Sequence, residues 1–180
     1  QSSLDGENEK GEVDSFYAYI DPKNEKSLWM SQTFGFETVG EIATQTFSRV
    51  NPKENSRVHK SEDWNQAKEL VESRFKNYHY FFSAQTSKPP FYTIKDENGE
   101  IIAFAKVSIS TWEIKRLPGK AGGVLTKVIP FIPGLNKLIR PKRNACVVPE
   151  AVIVKDNNPE LLAELFQGIL KRENKNLILW

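Results

Sequence analysis

Side chains able to do chemistry are sparse in this chain, and few of them fall at spacings that make a site. Cys146 is the sole cysteine and lies in the apolar run Ala145-Cys146-Val147-Val148, which predicts a buried small hydrophobe before a reactive thiol. One cysteine also excludes a disulfide framework and a Cys-rich zinc site. The two histidines, His59 and His79, are far apart, and no i, i+4 pairing points to a metal, so no metal site is predicted. No G-x-S-x-G elbow supports a nucleophilic serine. The cluster Tyr78-His79-Tyr80-Phe81-Phe82 has two readings, core packing or the lining of an acyl or substrate pocket. What remains is anion chemistry. Residues 115–143 carry eight basic residues (Lys115, Arg116, Lys120, Lys127, Lys137, Arg140, Lys142, Arg143) and no acidic one. Either this is an insertion that packs its apolar face and solvates its lysines, or it is a basic lid whose Lys142 and Arg143 reach the phosphates of an anionic ligand.

The elements that must position these residues follow from patterning. Phe16 to Ile20 is aromatic and β-branched, hence a strand. Glu25 to Phe34 reads as a short helix closed by Gly35, and Phe36 to Val50 as one long strand or a bent pair with Gly40 at a bulge. Asn51 to Lys60 is polar, contains Pro and has no apolar periodicity, so a linker is expected over 51–61. Asp63 can cap a helix that carries Trp64, Ala67, Leu70, Val71 and Phe75 on one face. Phe91–Lys95 and Glu100–Ser110 predict a hairpin across Asp96-Glu97-Asn98-Gly99. Residues 115–143, punctuated by Gly122-Gly123, Pro130, Pro133-Gly134 and Pro141, predict a loop with one or two short amphipathic helices, Pro130 to Ile139 covering an apolar surface. Ala145–Lys155 is a strand. Asn158-Pro159-Glu160 starts a helix: Asn caps, Pro fits the first helical position, and Glu suits the positive helix end. That helix runs to about Arg172 with Leu161, Leu162, Leu165, Ile169 and Leu170 as core contacts, and Asn176–Trp180 is the next strand. Strand–helix–strand implies a right-handed crossover, so the fold class is α/β (α+β) with a mixed, partly parallel central sheet flanked by helices.

Composition sets outer bounds. Apolar and charged fractions of 39% and 27% are those of an ordinary folded protein. A formal charge of +2 makes no general case for nucleic acid or membrane binding, and no apolar stretch approaches the ~20 residues of a membrane span. The lone cysteine fits a reducing, cytoplasmic compartment. The chain opens on Gln1 without an initiator Met and closes on the apolar Leu177–Trp180, which predicts that both ends are internal to a longer protein.

Two segments carry a family resemblance. Asn24 to Phe36 (NEKSLWMSQTFGF), followed by Glu37-Thr38-Val39-Gly40, resembles the late motif of the GNAT N-acetyltransferases: strand, Asn, a small residue three on (Ser27), helix, Gly-Phe, then a strand opening on Val-Gly. Residues 62–180 are similar to the first two-thirds of the same fold in element order, and residues 91–107 (FYTIKDENGEIIAFAKV) look like its early hairpin. Late part, linker, early part is the order of a tandem pair of GNAT-like domains: 1–50 the end of one, 51–61 the linker, 62–180 most of a second. A circular permutation is the alternative.

The resemblance implies a GNAT-like acyl-CoA N-acyltransferase fold and acetyl transfer from acetyl-CoA, as co-substrate, to a small-molecule or peptide amine. It also implies a neighbouring GNAT domain in the same chain or in a homodimer. It places cofactor contacts at Asn24 and Ser27, and at Asn157 and Asn158 where the family's phosphate loop lies, with Lys142 and Arg143 as the basic complement. Asn24 reads equally as a plain helix cap. No catalytic group is assigned. The family's Gly-rich loop, whose backbone N–H groups cradle a pyrophosphate, is here Val154-Lys155-Asp156-Asn157-Asn158-Pro159-Glu160, without a glycine. Its general-acid Tyr is replaced by Ser31. These departures favour a non-catalytic binding or scaffold role for 62–180, the alternative to the enzyme reading.

Overall fold

A computed structural model describes residues 16–78, 88, 90–117 and 119–180. The chain divides into two compact units, Gln1–Ala43 and Thr44–Trp180. Among the described residues no helix is long and apolar enough to cross a membrane.

The first unit contains helix α1 (Glu25–Thr33). Asn24 caps it, its Oδ1 accepting from the Ser27 N–H at 3.3 Å. Past the helix, Gly35 takes φ +82° and the Phe36 N–H returns to the Ser31 carbonyl at 3.0 Å, so glycine ends the helix as its sequence position requires. The two flanking strands expected here do not form. Phe16–Ile20 has no ladder, and Phe36 to Ala43 is irregular and exposed throughout. Strand-forming composition describes residues that suit a half-buried pleated surface. Neither segment has such a surface, and none of the described residues of this unit is buried.

The second unit is built on a six-stranded sheet in the order β1-β6-β5-β4-β3-β2. Its strands are β1 (Thr46–Ser48), β2 (His59–Ser61), β3 (Phe91–Lys95), β4 (Ile101–Trp112), β5 (Asn144–Val154) and β6 (Leu177–Leu179). All neighbours are antiparallel except β5 and β6, which are parallel and paired at Val147 and Ile178. This is a mixed α+β architecture. The β3–β4 turn forms as its sequence predicts: Asp96 Oδ1 accepts from the Asn98 and Glu100 N–H groups, both at 2.9 Å, and Gly99 takes φ +83°.

Helix α2 (Asn65–Phe75) covers one face of the sheet and α5 (Pro159–Arg172) the other. Period-two alternation divides β3 and β4 between them. Tyr92, Ile94, Ala103, Ala105 and Val107 meet Leu165, Phe166, Ile169 and Leu170 of α5, while Phe91 and Phe104 meet Ala67 and Val71 of α2. Asp63 lies one residue ahead of the cap position, which Trp64 takes, and its Oδ1 accepts from the Asn65 N–H at 3.0 Å. His79 to Phe82 lie outside the described residues; Tyr78 is exposed, its ring edge-on to Phe75.

The stretch expected to be a linker is structural. It contributes β2 at the sheet edge and the fully buried Val58, which sits under Gly168 of α5. A Cβ at position 168 would lie 2.4 Å from Val58 Cγ2, so glycine is what lets the helix approach. Polar ties replace the missing apolar periodicity. Glu164 accepts from Asn55 Nδ2 at 2.8 Å and from Arg57 through both oxygens at 3.1 and 2.9 Å. The expected strand over Phe36–Val50 is reduced to β1, which joins this sheet beside β6.

Between β4 and β5 the chain makes the excursion that its Pro/Gly punctuation predicts. It holds α3 (Gly122–Val128), a 3-10 turn (Ile129–Phe131) and α4 (Leu135–Leu138). Its packing departs from expectation: Ile129 is buried and Ile132, Leu138 and Ile139 are half-buried, but Phe131 and Leu135 face solvent, as do Val124, Leu125 and Val128.

Candidate functional site

At the β5–α5 junction a small cleft lies beside a helix N-terminus. β5 ends at Val154, and a 3-10 turn (Lys155–Asn157) carries the chain round. Asp156 and Asn157 take φ of 57° and 50°, a conformation that Asn and Asp tolerate better than most residues. α5 then starts at Pro159 behind Asn158, as the Asn-Pro-Glu triplet predicts.

The hydrogen bonds of the first turn decide what the helix end can hold. Pro159 has no N–H. Glu160 and Leu161 donate to Asn158 Oδ1 at 2.9 and 3.2 Å, and Leu162 donates to the Asn158 carbonyl at 3.1 Å. The donors that would meet an anion are thus satisfied from within. Asp156 and Glu160 add negative charge on either side, where a phosphate would want none. A CoA pyrophosphate does not fit this arrangement.

Beside the helix end lies a small apolar cleft of about 160 Å³. Thr46 and Phe47 of β1, Pro159, Leu162 and Phe166 of α5, and Trp180 line it. Phe166 is its centre: Phe47 and Trp180 both meet that ring edge-to-face at 5.6 Å. The Arg49 guanidinium sits 4.1 Å from the Phe47 ring centroid. The volume is below the ~300 Å³ at which drug-sized ligand pockets begin, so it suits a short apolar group. A wider depression of about 570 Å³ lies elsewhere, over Arg57 and the Lys95–Asn98 turn. It is lined by Arg57, Lys95, Asp96, Glu97 and Asn98, and Arg57 and Asp96 are engaged with Glu164 and with the turn's own backbone.

Between β4 and β5, Lys106 pairs with Ala151 and Val107 with Pro149, leaving Glu150 of β5 as the extra residue of a β-bulge. The bulge brings Glu150 Oε2 to 3.7 Å from the buried Lys106 ammonium.

The residues read from sequence as cofactor contacts fall in three places. Asn24 and Ser27 belong to the first unit, where Asn24 caps α1. Asn157 and Asn158 share the β5–α5 turn, Asn158 with its side-chain oxygen committed to the cap. Lys142 and Arg143 precede Asn144, at the opposite end of the eleven-residue β5. At ~3.3 Å per residue that strand separates them from Asn157 by roughly 35 Å, so one phosphate group cannot bridge the two sets.

No protein-family model and no curated protein matches the chain.

The buried Cys146 and a polar cluster around the buried Tyr92 complete the picture. Cys146 is fully buried, and burial pushes its thiol up; it is an inert core residue whose Sγ lies 3.7 Å from the Ser110 carbonyl. Sequence patterning did not single out a second group, made of Tyr92, Lys60 and Glu173. The Tyr92 hydroxyl donates to Glu173 Oε1, and Lys60 Nζ lies 3.0 Å from the same oxygen. Burial pushes the Tyr92 phenol far up, and the Glu173 carboxylate beside it adds to this. Burial also raises Glu173, but hydrogen bonds from Tyr92 and Lys60 outweigh it and hold the carboxyl below its ordinary value. The three residues lie on β2, β3 and the end of α5, so no local motif announces them.

Proposed function

We propose that residues 44–180 form a GNAT-like domain that binds or positions, in a protein whose activity is acyl-CoA-dependent transfer to an amine, rather than a domain that carries out the transfer. The acyltransferase part of this reading rests on the residue pattern Asn24–Gly40, of which the helix forms and the flanking strands do not, and on the element order of 62–180. A β5–α5–β6 parallel crossover beside antiparallel β3–β4–β5 is compatible with that order.

The observation that carries the non-catalytic role is the closed first turn of α5, where Asn158 consumes the Glu160 and Leu161 donors and Pro159 supplies none. A pyrophosphate held at a helix end needs those donors free and close backbone approach. What the domain offers instead is the apolar Phe47–Phe166–Trp180 cleft, sized for a short aliphatic or aromatic group of a neighbouring domain, a second copy or an acceptor amine. A reducing compartment belongs to the same reading.

Titration calorimetry with acetyl-CoA tests it. The chain is expected to give no saturable heat in the low-micromolar range, and Asn158→Gly, which frees two donors, should bind no more weakly than the parent. Low-micromolar binding that Asn158→Gly strengthens would show that the α5 end does take the cofactor and would restore the enzyme reading for this domain.

A further inference from the structure

We propose that the β4–β5 excursion, residues 115–143, is a docking surface for an anionic phospholipid bilayer. The first observation is that α3 is inside out. Its inward positions are Gly122, Thr126 and, one step beyond the helix, Ile129, whereas Val124, Leu125 and Val128 face water. Val124 is 65% exposed, and Phe131, at 82%, and Leu135 of the same excursion are exposed as well.

That orientation is fixed by packing. A Cβ on Gly122 would come within 1.8 Å of the Leu117 carbonyl oxygen, a backbone atom that cannot step aside. Thr126 Oγ1 accepts from the Leu117 N–H at 3.1 Å and donates to the Gly122 carbonyl at 2.7 Å. Rotating α3 to bury its valines would drive a bulkier side chain into that backbone and break the bond from the Leu117 N–H to Thr126. The exposed apolar face is therefore the packed state of the segment.

The second observation is charge. The eight Lys and Arg of 115–143 stand without an acidic residue among them, although the chain as a whole is only +2, so the rest of it is net acidic. None of the eight is ion-paired with a described carboxylate. Lys137 donates to Asn51 and Arg140 to the Asn136 carbonyl, both neutral acceptors. Cations in the same excursion as protruding aliphatic and aromatic side chains match the two layers of a bilayer, anionic headgroups above acyl chains. A polyanion such as RNA would meet the lysines and leave Val124, Val128 and Phe131 in water. A preformed protein groove is a poorer match for a ring as exposed as Phe131 than a deformable lipid surface.

Sedimentation of the full chain with phosphatidylcholine vesicles, with and without phosphatidylglycerol, tests the proposal. Binding is expected to the anionic vesicles and to be at least tenfold weaker on neutral ones. The double substitution Val128→Ser with Phe131→Ser should lower the partition coefficient about tenfold or more while leaving the melting temperature within a few degrees. Lys142→Glu with Arg143→Glu should lower it comparably. Independently of any loss of binding, Phe131→Cys carrying an environment-sensitive fluorophore should shift to the blue on anionic vesicles. No sedimentation with anionic vesicles at low salt would overturn the proposal. So would binding indifferent to Val128 and Phe131 with no fluorophore shift, since that is adsorption by charge alone. RNA capture insensitive to the same substitutions, without vesicle binding, would assign the surface to nucleic acid.

Discussion

Glu173 and Tyr92 show how one pair of side chains links packing to pH. Glu173 is held below its ordinary value of 4.5 by the hydrogen bonds it accepts. A depressed carboxyl stabilises the fold above its unfolded pKa, and that contribution is lost as pH falls through the folded value. Tyr92 is raised above its ordinary value of 10.0, so the folded state holds its proton more tightly. Its contribution is complete below pH 10 and is lost as the unfolded chain ionises above it. Melting temperature followed against pH should fall below pH 4.5 and again above pH 10. Glu173→Gln should flatten the acid limb and Tyr92→Phe the alkaline one, each at a cost of about 1–3 kcal/mol near neutrality. An acid limb unchanged by Glu173→Gln would assign acid loss to other carboxylates. Nothing local in the sequence marks these residues: Lys60 lay in a stretch read as linker, and Tyr92 looked like any strand aromatic.

At the scale of elements, legibility tracked how local the cause was. The β3–β4 turn and the start of α5 were readable because Asp96, Gly99, Asn158 and Pro159 act within a few residues of themselves. Of the short edge strands, β2 was not readable and β1 only as part of an overlong expected strand, because both exist through partners far along the chain, Leu177–Leu179 and Phe91–Thr93. The strands expected around α1 failed for the converse reason, composition without a partner. α3 misled because an apolar face was assumed to point inward, whereas Gly122 and Thr126 take that side. At the candidate site, the departure from a Gly-rich loop was plain in Val154–Glu160, but the commitment of Asn158 to its own helix needed coordinates.

Two substitutions test the α5 account. Asn158→Ala should destabilise by about 1 kcal/mol through loss of the cap. Gly168→Ala should destabilise by about 2 kcal/mol despite alanine's better helix propensity, because the added methyl meets Val58. Val58→Ala should cost stability alone yet relieve Gly168→Ala when combined. Strict additivity of the two in urea unfolding would contradict the contact.

The whole molecule divides unequally. Residues 44–180 carry the sheet and both core faces, while the described part of Gln1–Ala43 has no buried residue. Limited proteolysis should therefore cut between Phe36 and Ala43 well before the 44–180 unit, with mass spectrometry locating the first cuts; a first cut within β3 to β5 would contradict the division. The unit also places its features at opposite ends of β5, with the basic excursion before Asn144 and the closed helix end after Val154. A single ligand spanning both is not what this fold is arranged to hold. The central claim is that the α5 end is closed to phosphate, and its most direct test is the backbone amide spectrum of the isotope-labelled chain during titration with acetyl-CoA. The account predicts that the Glu160, Leu161 and Leu162 amide resonances stay in place across the titration. Saturable shifts at those three amides in the low-micromolar range would contradict it.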